Sequence, residues 1–166
     1  MTTVYVKVGD VGSGWTKACK DAVAHLNTLF KRNTIDVVLQ TGSKTPTISV
    51  RTDSNIKGNL VHGRTSAEVT ESGKLLRADV RLPETVSINT PNGPRDAGSG
   101  VLEVIAAHEF VHALGHEPHN TRLMGQTLTM ELGDSPSGDK LKDGTVGMPP
   151  LVLSPQSVKQ LKDIWS

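Results

Sequence analysis

The sequence predicts an α+β domain spanning residues 1–166: a twisted, mixed sheet of four or five strands packed on two long helices, closed by a C-terminal helix. Three observations lead there. Val4, Val6 and Val8 alternate with Tyr5 and Lys7, the period of a half-buried strand. Trp15, Cys19, Ala22, Val23, Leu26 and Phe30 then fall on one stripe of a helix. Residues 101–114 are almost continuously apolar, the pattern of a helix buried on every side.

The elements follow in order. Gly9 to Gly14 is a turn, and Ser13 is placed to cap the first helix. Residues 35–40 and 47–51 read as the second and third strands. Leu76, Ala78, Val80 and Leu82 alternate with Arg77, Asp79 and Arg81 to give a fourth. Between them, Val61-His62 and residues 66–69 add a short strand or an irregular loop. Residues 90–100 form a loop by composition, and residues 133–150, rich in Gly, Pro, Ser and charge, a long surface loop. Ser154-Pro155 is a helix start, with a capping serine and a first-turn proline, and Val158, Leu161 and Ile164 or Trp165 make the inward stripe.

Composition narrows the function. Lys plus Arg number 18 and Asp plus Glu 17, with no long run of either sign, so nucleic acid and anionic membrane surfaces are not expected partners. No apolar stretch approaches the roughly eighteen residues that cross a bilayer. Cys19 is the sole cysteine and excludes an internal disulfide; on an amphipathic helix it reads as a buried, inert thiol. The N-terminal residues enter a strand pattern without a charged leader and apolar core. Synthesis in the cytoplasm is therefore expected, with release by a non-classical route as the alternative, and the protein is expected to be a monomer. His25 and His62 stand apart from other candidate ligands and read as structural or surface residues.

The chemistry is concentrated at His108-Glu109-Phe110-Val111-His112, followed by Ala113-Leu114-Gly115. Histidines four apart lie about 40° apart around a helix and about one turn apart along it, so both rings can converge on one metal. Neutral imidazole is a favoured zinc ligand, and Glu109 is placed to hold a water on that metal. On a helix apolar almost all round, these are polar groups in a core, each costing several kcal/mol unpaired, at about the scale for buried polar groups. Metal coordination satisfies them together.

This order of elements, with an HExxH helix, a glycine turn and further histidines, resembles the metzincin metallopeptidases, whose motif is HExxHxxGxxH or HExxHxxGxxD. His108, Glu109, His112 and Gly115 match it position for position. In that family the glycine lets the chain leave the helix sharply and swing a third ligand back to zinc. Pro118 occupies the third-ligand position here, with His116 before it and His119 after. His119, reached by a turn one residue longer, is the expected third ligand; His116 would suit a helix continuing past Gly115. The resemblance implies one catalytic zinc ion and a metalloendopeptidase in which Glu109 is the general base. It also implies a methionine turn, for which Met124 and Met148 both qualify, and a peptide or protein substrate bound as an added antiparallel strand. Residues 75–82 are the expected substrate-facing edge. No oxygen-rich loop for calcium stands out, since Asp134, Asp139 and Asp143 are scattered.

Three rivals accompany this reading, one of them a buried helix without metal, which leaves several histidines clustered in a core for no chemical reason. Glu131 lies within reach of the ligand spacing of thermolysin-like enzymes, although its surroundings carry no helical stripe. A non-catalytic binding module would instead close a structural zinc site with four histidines, His108, His112, His116 and His119.

Overall fold

A computed structural model describes residues 1–56, 63–90, 93–116, 118–119, 123–124, 139–140, 146–147 and 151–166. Their elements are β1 (Thr2–Val8), α1 (Gly12–Arg32), β2 (Val37–Thr41), β3 (Thr47–Asp53), β4 (Arg64–Val69), β5 (Leu75–Pro83), β6 (Ser87–Thr90), β7 (Gly93–Asp96), α2 (Ser99–Ala113), β8 (Asp139–Lys140), β9 (Val146–Gly147) and α3 (Pro155–Ile164). The fold is α+β, with a mixed five-stranded sheet in the order β2-β1-β3-β5-β4.

The first four strands of that order are parallel, and β4 runs antiparallel on β5. This corrects one expectation. Residues 75–82 are not an edge: β5 lies between β3 and β4, and the edge beside it belongs to β4. The cause is the parallel pairing of β5 on β3, after a tight turn over residues 70–74 in which Thr70 N–H donates to Lys74 O at 2.8 Å and Gly73 takes φ +85°. The turn sets β4 along the other side of β5. Arg64, Ser66 and Glu68 are exposed there.

The inward sheet residues, among them Val4, Val6, Ile48, Val50, Val80 and Leu82, pack against the two long helices. The α1 stripe is buried as expected, from Trp15 through Ala22 to Phe30. Ser13 does not cap this helix. It lies inside the first turn, Val11 occupies the cap position, and no side chain bonds there. The start is held instead by a distant contact, Trp15 Nε1 donating to Pro83 O at 2.8 Å. Cys19 is fully buried, and burial pushes its thiol up to about 12, which keeps it an inert core residue.

The stretch expected as a loop over residues 90–100 contains β7, paired antiparallel with β6 in the register Ser87↔Asp96 to Thr90↔Gly93. Ile88 is the only large apolar residue in the pair, so no alternation betrays it in the sequence. Helix α3 begins as expected, with Ser154 Oγ accepting from Ser157 N–H at 3.1 Å and Pro155 in the first turn. Its inward side carries Leu161, and the cap residue Trp165 donates from Nε1 to Leu114 O at 2.8 Å. That bond ties the closing helix to the exit of α2. Among the described residues no helix is long and apolar enough to cross a membrane.

Candidate metal centre

Helix α2 has no polar face. Ten of its residues are buried, His108 and Glu109 among them. The helix ends at Ala113, and Gly115 turns the chain with φ +108°, a conformation that side chains rarely adopt. A Cβ on Gly115 would also lie 2.8 Å from Ile164 Cδ1 of α3, a side-chain end that would have to shift. The chain therefore leaves sharply and brings residues 118–119 back over the helix.

Three imidazoles meet there. His112 Nε2 lies 3.0 Å from His108 Nε2 and 3.1 Å from His119 Nε2. The ligand atoms of this trio all fall within 4.8 Å of one another, and the three histidines can hold a metal ion. The neighbours decide what these nitrogens present. His108 Nδ1 faces Leu123 O at 2.8 Å and His112 Nδ1 faces His116 O at 2.7 Å. A carbonyl oxygen only accepts, so each Nδ1 carries the ring hydrogen, and each neutral ring turns a lone pair outward at Nε2. Two lone pairs 3.0 Å apart repel unless a positive centre lies between them. One proton can bridge a single pair of nitrogens; a metal ion serves all three.

The dimensions fit such an ion. Three imidazoles bound at about 2.0–2.1 Å on a tetrahedral zinc have nitrogens about 3.3 Å apart, close to the spacings seen here. His108 is 1% exposed, His112 is half-buried and His119 is exposed, so the cluster opens toward solvent on one side. His116 stands differently. It is fully buried and outside the trio, and it contributes its backbone carbonyl to His112. Burial pushes its imidazole below the ordinary histidine range, with His119 acting in the same direction.

Glu109 is 2% exposed, and its Oε1 lies 4.0 Å from His108 Nε2. Burial pushes its carboxyl above the usual range, while hydrogen bonds from the Thr65 hydroxyl and the Gly63 N–H pull it partly back. Gly63 N–H donates to Oε1 at 3.1 Å, and Thr65 Oγ1 donates to Oε2. Sequence reasoning missed both residues, and also the Leu123 carbonyl that orients His108. No local signal marks them, because each acts through a pairing with residues far along the chain.

Met124, one of the two candidates for the methionine turn, is fully buried beside Leu123. His25 is paired with Glu103 across α1 and α2, outside the histidine trio. Met148, Glu131, His62, Asp134 and Asp143 lie outside the described residues, as does most of the stretch 133–150, and of Asp139 only the strand pairing is described. No protein-family model matches the chain, and no curated protein is significantly similar to it.

Proposed function

We propose that this protein is a zinc-dependent endopeptidase of the metzincin type, with His108, His112 and His119 as ligands and Glu109 as general base. The observation that carries the reading is the convergence of three Nε2 atoms beside one buried carboxylate, on a cluster open to solvent at His119. When bound there, zinc supplies a Lewis acid that acidifies water and polarises a carbonyl. The protein's own part is proton transfer. Glu109 takes the proton of the attacking water and returns it to the leaving nitrogen, so bond cleavage consumes one water and no net proton.

Edge strand β4 supports a peptide substrate. Among the described residues it is paired on one side only, and its first residues touch Glu109. An extended peptide laid along that free side would be held by main-chain hydrogen bonds and presented next to the carboxylate. The bend at Gly115 supports the likeness to metzincins, with the third imidazole arriving one residue later than their motif has it.

The test is cleavage of a quenched-fluorescence peptide library by zinc-loaded protein beside Glu109→Gln. Removing a general base is expected to cost about 10²–10⁴-fold in turnover, with zinc content unchanged. Wild-type protein that holds stoichiometric zinc and cleaves nothing, or a Glu109→Gln variant as active as wild type, would sink the proposal.

A further inference from the structure

We infer that Thr65 is a positioning residue for Glu109, fixing the base from the edge strand; this rests on the peptidase reading above. A glutamate on a helix has three side-chain torsions, and the α2 backbone alone does not choose among their combinations. Here two donors choose, one from β4 and one from the residue just before it. Gly63 N–H bonds Oε1 at 3.1 Å, and the Thr65 hydroxyl bonds Oε2 while lying 3.4 Å from the Glu109 carbonyl oxygen. One donor on each oxygen fixes the plane of the carboxylate as well as its place.

The strand is built for this approach. A Cβ on Gly63, the residue before β4, would lie 2.6 Å from Arg81 O of β5 and 3.2 Å from Glu109 Cγ, so only glycine fits between the β5 backbone and the glutamate side chain. Thr65 pairs with Val80, whose side chain is fully buried, so Thr65 lies on the face of β4 turned toward the core. A hydroxyl on that face has a purpose if it meets a carboxylate, and it meets one. The carboxylate is thereby held with Oε1 toward the His108 side of the cluster.

Thr65→Val removes the donor and keeps the shape. Groups that orient a reacting or ligating side chain usually cost about 10–100-fold when lost, and kcat is expected to fall by that factor with KM nearly unchanged. Thr65→Ser, which restores the hydroxyl, should stay within about threefold of wild type. A second readout avoids turnover. Acetohydroxamate on the zinc-loaded protein needs a well-placed carboxylate to accept its hydrogen, so calorimetry should show about tenfold weaker binding for Thr65→Val. Zinc affinity, measured by chelator competition, should move less than about threefold. Unchanged kcat and hydroxamate binding in Thr65→Val overturn the inference alone, as does a parallel loss of zinc affinity, which would mark a merely structural role. Wild-type protein that neither cleaves peptides nor binds hydroxamate overturns the peptidase reading and this inference with it.

Discussion

His116 and His119 stand three residues apart and should respond to alanine in opposite ways. His119 is exposed and contributes a ring nitrogen to the cluster; His116 is fully buried and contributes a main-chain oxygen. His119→Ala therefore removes a ligand and little packing, and the metal-free stability should change by less than about 0.5 kcal/mol. His116→Ala empties part of the core and should cost about 2–4 kcal/mol, yet the carbonyl that orients His112 remains. Zinc separates the two variants further. At free zinc a hundred times the dissociation constant, binding stabilises the folded state by about 2.7 kcal/mol. For a domain of this size that raises Tm by about 5–11 °C. A hundredfold loss of affinity in His119→Ala would reduce the gain to about 0.4 kcal/mol at the same zinc concentration, a shift of about 1–2 °C. Thermal melts with chelator and with zinc, beside metal analysis after dialysis, read both effects. The ligand assignment is refuted if His116→Ala loses the zinc-dependent shift while His119→Ala keeps it.

Gly115→Ala forces a side chain onto φ +108° and into Ile164, 2.8 Å from the new Cβ. Urea unfolding should show a loss of about 2–4 kcal/mol, and Ile164→Val in the same protein should return only the packing part. A loss under about 0.5 kcal/mol would mean that the bend is not held as described. Glu109→Gln should reveal the burial of the carboxylate through pH. The folded-state carboxyl titrates above its unfolded value, so its contribution is fully present below the ordinary carboxylate range and is lost as pH rises through the folded value. Glutamine does not titrate. In chelator, its stability relative to wild type should accordingly grow as pH rises above the ordinary carboxylate range, and a difference that stays flat there would contradict the assignment.

What the sequence made legible was whatever a local period fixes. Helical spacing alone places His108, Glu109 and His112 together, and the stop at Gly115 favours His119 over a continued helix carrying His116. Ser154-Pro155 announced α3 because a cap and a first-turn proline are both local. The identity of the edge strand was not local. Alternation over residues 75–82 says which side chains point inward, and it is the same for an interior strand and an edge strand. Only the long-range pairing of β5 with β3 decides which of the two is outermost; the turn at Gly73 merely sets β4 along the other side of β5. Ser13 is not the cap because α1 begins before it, at Gly12, and the first turn is tied by a tertiary bond from Trp15 Nε1 to Pro83 O that no local pattern shows.

The polar groups of α2 share one arrangement, and it bears on whether the ion or the chain builds the site. Each is gripped on its outer atoms by a different segment: His108 by the carbonyl of Leu123, His112 by that of His116, and Glu109 by Gly63 and Thr65. Partners of this kind fix the tautomer and orientation of a ligand before metal arrives. The segments themselves are anchored in the core, through Leu123 and Met124 on one side and the β4–β5 ladder on another. A site made this way differs from small zinc domains that fold only on binding, where the metal supplies the folding energy. Here the core of sheet and helices exists apart from the cluster, and the repulsion between facing lone pairs is a local cost that zinc would relieve. That is why metal removal is expected to lower stability by no more than the binding free energy, leaving a folded chain.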